Sequence, residues 1–484
     1  MRKNRLSFNF CCSGLCWKAL IMAGLLAAVA TAETENRAAT QEAVKPNIVF
    51  ILADDLGRAD VGFNGGKEIK TPNIDQLAAS GARLDQFYVQ PVCTPTRAAL
   101  MTGRYPMRHG LQVGVVRPWA QYGLPLAERT LPQALKEAGY ATAIIGKWHL
   151  GHFQPAYLPT RRGFDHQYGQ YNGAIDYFSH ERDGGHDWHR DDKASHDDGY
   201  STHLLAQDAV KFIRNNGGAK PFFLYVPFNA VHAPHQVPDK YKESYVRLQE
   251  PRRTYAGMLA AMDEAIGQLI AALDEKGLRE NTLIIFSSDN GGPAPGRVTD
   301  NGLFRAGKAT LYEGGVRAAA CVAWRGRIQS GTVINQPLHM VDWYPTLLKL
   351  GGASPKQELP LDGRDAWAAI AAGKTSPHQE ILINTTPTNG AIRMGDWKLV
   401  LNGSRSSGEA GEVDGGKDQT KNGDVLELFN LSDDPYEKKN LADQNPDRVK
   451  ELRARYDKLA AQAVPPEIKP KAPGFKVPKV WGEQ

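Results

Sequence analysis

The chain has 484 residues, 42% of them apolar and 23% charged, a composition that excludes a disordered or fibrous protein and a length that exceeds one ordinary domain. Its formal net charge of +5 shrinks once the N-terminus is set aside. Arg2, Lys3, Arg5 and Lys18 accompany an apolar run from Ala19 to Ala30, which ends in Ala30-Thr31-Ala32, the pattern of a secretory signal peptide over residues 1–32. The run is short of a bilayer span, so the reading is a cleaved signal that leaves no stable membrane anchor. Leu15-Cys16 precedes the apolar run, unlike a lipoprotein site. Without those four cations the net charge is near +1, which removes any warrant for a nucleic-acid partner. Cys11, Cys12 and Cys16 leave with the signal, so Cys93 and Cys321 are the thiols of the exported chain. That is few for a secreted or periplasmic protein, where cysteines usually pair. They could pair with each other, but a chain of this size needs no staple.

Residues 33–45 read as a polar linker. Asn47 to Leu52 is a continuous β-branched and apolar run, as a strand buried on both faces requires, and it ends in Ala53-Asp54-Asp55-Leu56-Gly57. Thr71 to Gly81 has a cap, a proline in the first turn and a closing glycine, which predicts a helix. In Cys93-Thr94-Pro95-Thr96-Arg97 the proline again suits a first helical turn, and Gly103 ends the helix. Cys93 then stands at a helix N-terminus, where backbone N–H groups favour negative charge.

Leu131 to Ala138 is another helix, and Tyr140 to Ile145 a second buried strand, ending in Gly146-Lys147-Trp148-His149-Leu150-Gly151. Pro155 to Gly199 is an insertion rich in Tyr, His, Asp and Gly. His186, His189 and His196 lack the spacing of a compact zinc site, and cysteine is absent, so the insertion reads as a substrate-rim loop. Tyr200 to Asn216 predicts an amphipathic helix, Pro221 to Phe228 a third strand leading to His232, and Arg253 to Leu278 a long helix. The strand Thr282 to Ser287 ends in Ser288-Asp289-Asn290-Gly291-Gly292. A glycine-rich connection carrying Lys308 leads to the strand Ala319 to Trp324, and His339 to Leu350 is a helix. This alternation predicts an α/β fold, a mainly parallel sheet flanked by helices, over residues 46–375. Glu380 to Thr385, Ala391 to Leu401 with a turn at Gly395-Asp396, and Val425 to Leu431 read as antiparallel strands. With a helix from Pro446 to Ala463 they predict a smaller α+β subdomain over residues 376–465, followed by a Lys/Pro-rich tail, 466–484.

The predicted strand ends collect Asp54, Asp55, Asp289 and Asn290, hard oxygen donors that suit calcium or magnesium and, with three carboxylates and an amide, tilt toward calcium. Arg97, Lys147, Lys308, His149 and His232 add positive charge and proton transfer, as a tetrahedral anion at a helix N-terminus requires.

Cys93 to Arg97 with Thr102-Gly103-Arg104 resembles the signature of the type I sulfatases, formylglycine-dependent enzymes of alkaline-phosphatase-like fold. Gly146 to Gly151, Ser288 to Gly292 and Glu427 to Leu431 are similar to that family's other landmarks, in the same order, from Asn47 to about Ala442. Leu158 to Asp165, Tyr177 to Arg182 and Val231-His232 point to its arylsulfatase B branch. The resemblance implies a sulfuric ester hydrolase acting on sulfated carbohydrates or aryl sulfates. In it, Cys93 is converted by formylglycine-generating machinery during export to 3-oxoalanine (Cα-formylglycine), whose hydrate attacks sulfur, releases the alcohol and forms a covalent sulfoenzyme. It further implies calcium held by Asp54, Asp55, Asp289, Asn290 and an oxygen of modified Cys93. Arg97 and Lys147 would hold the diol oxygens and Lys308 the sulfate; His232 would protonate the departing alcohol, and His149 would act as base. The aromatic residues of arylsulfatase B near Lys308 are here Phe304 and Ala309, so its sugar contacts do not transfer. N-acetylgalactosamine 4-sulfate-like units and algal polysaccharide fragments are both candidate substrates. Two rival readings are a phosphodiesterase or phosphonate hydrolase of the same superfamily and a non-catalytic sulfated-glycan binding protein.

Overall fold

The computed structural model describes residues 45–483 apart from 217, 219, 387–388 and 404–424. The signal peptide and all but the last residue of the linker lie outside the described residues. Asn47–Ala53 is a strand with every residue buried, and it forms the centre of a ten-stranded sheet. Parallel neighbours Thr282–Ser288 and Phe222–Pro227 flank it, and Ala141–Ile145 follows parallel on the far side of Phe222–Pro227. All four C-terminal ends therefore open on one edge of the sheet, the edge where α/β folds place their ligands. The strand Ala320–Ala323 runs antiparallel to both of its neighbours.

The insertion is not only a loop. His166–Gly169 joins the main sheet parallel to Ala141–Ile145, and His189–Arg190 and Lys193–Ala194 extend it antiparallel. Single-sequence periodicity misses strands of two to four residues, which explains the difference. Its histidines serve packing: His186 stacks on His196 at 4.3 Å and His189 on Tyr171 at 4.0 Å.

Two apolar layers cover the sheet. On one face the Arg252–Glu275 helix buries Met258, Met262, Ile266 and Leu269. It is long and apolar enough to cross a bilayer, yet 67% of that stretch is buried within the fold. On the other face Trp343–Leu350 and Cys93–Thr102 pack with Phe50 and Tyr225. The segment before Trp343 is a 3-10 turn, Met340–Asp342, because the His339 and Asp342 side chains cap it in a reciprocal box.

A second sheet of four antiparallel strands, Glu380–Thr386, Asn389–Met394, Trp397–Leu401 and Leu426–Asn430, precedes the helix Pro446–Ala460. Its alternation divides the strands between two cores. Leu382 and Leu399 join the layer with the final helix, while Ile381, Ile383 and Val400 pack on Tyr88, Leu311 and Val316. The small sheet thus backs the segment that follows Lys308.

Candidate active site

Cys93 opens a ten-residue helix, Cys93–Thr102, whose residues are all buried and which ends at Gly103 with φ 67°. Gly103 suits that left-handed position because it has no Cβ. The thiol points at the end of the central strand, with Sγ 3.4 Å from Asp54 Oδ1. Arg97, one helical turn on, donates from Nη2 to Asp289 Oδ2 at 2.7 Å and from Nη1 to the Lys147 carbonyl at 3.1 Å. One helix thereby ties three strand ends together.

The Lys147 ammonium donates to Asp54. Lys308 Nζ lies 2.6 and 2.7 Å from the two Asp55 oxygens. The Asp55 backbone N–H donates to Asp289 Oδ1 at 3.2 Å, and Asn290 Nδ2 donates to Asp55 Oδ1 at 2.8 Å. Asp54 and Asp289 are fully buried, and Asp55 is nearly so. Burial and repulsion from Asp289 push the Asp54 carboxyl up to about 7 against the pull of Lys147 and Arg97. Burial acts on Asp55 too, but Lys308 and His232 hold it well below the usual carboxylate range. Burial also acts on Asp289, and Arg97 and Lys147 outweigh it. Three carboxylates coexist here because three cations face them.

The two histidines present opposite nitrogens. His149 Nε2 lies 3.0 Å from the Val116 carbonyl; a carbonyl only accepts, so Nε2 carries the proton. Nδ1 is buried with no hydrogen-bond partner among the described residues. Burial, with Lys147 and Arg97 nearby, keeps this imidazole neutral, and a neutral ring with a bare Nδ1 is a base. His232 Nδ1 meets the Ala233 carbonyl at 2.5 Å, which leaves Nε2 facing Asp55 Oδ2 at 3.5 Å. Its side chain keeps 21% of its surface open. Burial lowers its pKa, with Lys308 adding to that effect and Asp55 opposing it. Asp55 and His149 both have left-handed backbones, with φ 62° and 60°, a strained state for residues other than glycine.

Ligand atoms of Asp54, Asp55, Cys93 and His232 lie within 4.8 Å of one another, the one such group among the described residues. Asp289 is tied to Arg97 and to the Asp55 N–H instead. Whether the oxygen donors fit a hard divalent cation is tested by Asn290: its Oδ1 is buried with no donor. An amide oxygen beside three carboxylates with unmet accepting capacity suits such an ion, and the residues fit. The insertion histidines form no comparable group among the described residues. Cys93 and Cys321 are both free and buried, and no disulfide joins them.

The structure brings together every residue singled out from the sequence for chemistry. Sequence reasoning missed three supports. Thr94 Oγ1 donates to the His149 carbonyl and accepts from the Val116 N–H. Tyr177 OH bonds the carbonyls of Asn229 and His232 at 2.6 and 2.9 Å. Gly173 leaves room for the His149 ring, since a Cβ there would lie 2.3 Å from Cε1. Thr94 and Tyr177 stand in the motifs Cys93–Arg97 and Tyr177–Arg182, but Gly173 gives no signal in a glycine-rich insertion.

Fold and site together define a hydrolase of anionic esters. The chain belongs to the sulfatase family, whose model matches residues 46–353, and it is a sulfuric ester hydrolase. It is 38% identical to arylsulfatase J of Mus musculus over 92% of this chain and 80% of that protein. To N-acetylgalactosamine-6-sulfatase of Mus musculus it is 33% identical over 74% of this chain and 72% of the relative. Among solved structures it resembles Ps i-CgsB in complex with k-i-k-neocarrahexaose. That likeness has a TM-score of 0.78 and 33% identity, over 87% of this chain and 94% of the other.

Proposed function

We propose that this sulfatase removes sulfate from sulfated carbohydrates and that Cys93 acts as Cα-formylglycine, installed by formylglycine-generating machinery during export to the periplasm or medium. The observation that carries this reading is the placement of Cys93 at a buried helix N-terminus against Asp54, ringed by Arg97, Lys147, Lys308 and two histidines with complementary tautomers. The hydrated aldehyde at position 93 would supply a hydroxyl nucleophile for the sulfuryl group. Asp54, Asp55, Asp289, Asn290 and the oxygen at position 93 would hold a calcium ion, which would supply positive charge next to the reacting oxygens.

The chain's own groups supply the remaining steps. Arg97 and Lys147 orient the oxygens at position 93, and Lys308 binds a sulfate oxygen. A sulfate ester brings negative charge to His232, favouring a proton on Nε2, which then passes to the leaving alcohol. The bare Nδ1 of His149 takes up the proton lost as sulfate departs. A carbohydrate substrate is supported by the names of the relatives, an N-acetylgalactosamine-6-sulfatase and a protein solved with a neocarrahexaose. Both N-acetylgalactosamine sulfates and algal polysaccharide fragments stay in the substrate class.

Steady-state rates on paired nitrophenyl sulfate and nitrophenyl phosphate test the reaction, with catalytic efficiency expected to favour the sulfate. A preference for the phosphate ester overturns the reading. Mass spectrometry of the Cys93 peptide is expected to show the mass of the aldehyde or its hydrate, in protein from a host that performs the modification. Unmodified thiol throughout such protein leaves the mechanism without its nucleophile.

A further inference from the structure

The Lys/Pro-rich tail is docked at both ends on the surroundings of the site. Its first part lies along the segment that follows the Cys93 helix: the Val464 N–H donates to the Met107 carbonyl at 2.9 Å, and the Glu467 N–H to Gly110 at 2.8 Å. Gln112 Nε2 donates to the Val464 carbonyl at 2.9 Å, and Trp119 Nε1 to the Lys469 carbonyl at 3.3 Å. Its last part is fixed to the insertion. The Trp481 backbone N–H bonds the His186 carbonyl at 2.9 Å, and its indole donates to Arg182 at 2.8 Å. Trp481 is buried, and its ring meets His152 edge-on at 5.5 Å.

Between these anchors the strap runs with no helix or strand, and it contains five prolines from 465 to 478. Proline holds much of such a segment extended, and a turn at Ala472–Phe475, where the Phe475 N–H donates to the Ala472 carbonyl at 3.1 Å and Gly474 has φ 77°, divides its cations into two pairs. Lys469, Lys471, Lys476 and Lys479 stand on it, all exposed. Glu467 is the one acid between 464 and 481, 3.5 Å from Lys469. The cations are ordered by aromatic rings: Arg117 and Lys471 each lie 5.8 Å from the Trp119 ring, and Lys469 lies 5.9 Å from Tyr122.

This basic row is joined directly to the chemistry. Arg117 follows Val116, whose carbonyl fixes the His149 tautomer and whose N–H bonds Thr94, the residue after Cys93. The Pro118 carbonyl lies 3.1 Å from His152 Nε2.

We propose that the tail and the 111–122 segment form an anion-binding rim, which holds sulfates on neighbouring units of an extended glycan while the site attacks one ester. The proposal rests on the sulfatase reading and names its substrate as a multiply sulfated chain rather than a singly sulfated sugar. A row of spaced cations rewards several sulfates on one chain, because each further contact forms without a new loss of translational freedom.

The test uses the full-length Cys93→Ser protein, so that binding is read without turnover. Its affinity is measured for a dextran sulfate oligomer, for unsulfated dextran of equal length and for a DNA oligonucleotide of equal charge. Replacing Lys469, Lys471 and Lys476 together by Ala is expected to weaken dextran sulfate binding about tenfold. Arginine at the same three positions is expected to keep it, and added salt to weaken the parent protein's binding more than the triple alanine variant's. A thermal melt checks the fold of each variant, with single Lys471→Ala as the milder change. Unchanged affinity in the triple alanine variant, or equal binding of unsulfated dextran, overturns the proposal; so does equal binding of the DNA, which would make the row a general polyanion surface. Nitrophenyl sulfate turnover by the wild-type protein is scored separately. Its absence removes the proposed function, while the dextran sulfate result still decides the rim.

Discussion

At the strand ends three carboxylates face three cations around Cys93. Beneath the small sheet, Lys398 lies between Glu313 and Glu437, 2.9 and 2.8 Å away, with all three side chains out of solvent. Tyr88 OH donates to Glu313 Oε2 at 2.9 Å, and Arg393 Nη1 to the Tyr88 oxygen at 2.7 Å. Both clusters join segments far apart in sequence, and both include a left-handed residue, since Glu437 has φ 55°. Neither burial, charge nor backbone strain separates them. Unmet capacity does: the Asn290 Oδ1 and His149 Nδ1 at the strand ends have neither a hydrogen bond nor an ion pair among the described residues, whereas Glu437 Oε1, which also lacks a hydrogen bond, still pairs with Lys398 Nζ at 2.8 Å. A site is charge with something left to bind, and a structural network is charge already paired.

That contrast predicts a double dissociation. Cys93→Ala is expected to lower turnover of nitrophenyl sulfate by about 10⁴-fold or more, with stability within about 1 kcal/mol of the parent. Lys398→Met leaves two buried carboxylates without their shared cation and is expected to cost about 3–5 kcal/mol, read as a lower urea midpoint, while the folded fraction keeps its activity. A stable but inactive Lys398→Met protein, or an unstable Cys93→Ala protein, breaks the comparison.

The same contrast explains what was legible in the sequence. Strand ends are readable because apolar runs stop sharply at polar residues: Leu52 gives way to Asp54-Asp55, and Phe286 to Asp289-Asn290. Asp54, Asp55, Lys147, His149, His232, Asp289 and Asn290 sit within a few residues of such a boundary, so the parallel sheet gathers them without further instruction, while Cys93 and Arg97 come on a helix and Lys308 on the long connection from Ser288 to Ala320. Glu313, Lys398 and Glu437 have no such marker, because their pairing depends on how the small sheet docks. The tail was equally opaque: a run of Pro and Lys has no periodicity, and its docking rests on backbone groups and one indole. Short insertion strands were hidden because two residues cannot display an alternation.

Gly173 sharpens the comparison from the catalytic side. It is not in the left-handed region, so alanine is allowed by the backbone; the obstacle is the His149 ring, 2.3 Å from the new Cβ. Gly173→Ala is expected to shift that ring off the Val116 carbonyl and to lower kcat about 10–100-fold. The melting temperature should move little, since the displaced ring is neutral and loses one hydrogen bond rather than a buried charge. An unchanged kcat would remove His149 from the proposed chemistry.

Glu437 gives the smallest effect and the most specific one, because its carboxyl and that of Glu313 shift in opposite directions. Burial pushes its carboxyl up to about 7, Lys398 pulling against this and Glu313 adding to it. Glu313 is buried too, but Lys398 and Arg317 bring it down to about 2. An unfolded glutamate titrates near 4.5. Between about 4.5 and about 7 the unfolded chain has therefore lost the Glu437 proton while the native chain keeps it, so this residue lowers stability as pH rises through that window. Glu313 acts in the opposite sense and lower down: its contribution is present above 4.5 and is lost as pH falls toward 2. Glu437→Gln removes the first slope and leaves the second. Urea midpoints of parent and variant should therefore diverge from pH 4.5 to 7, with the variant gaining, and run parallel above. Histidines that titrate in the same range cancel in the difference. Equal pH dependence in the two proteins would mean that Lys398 satisfies both glutamates as ions, and that the structural cluster holds its charge without a proton on Glu437.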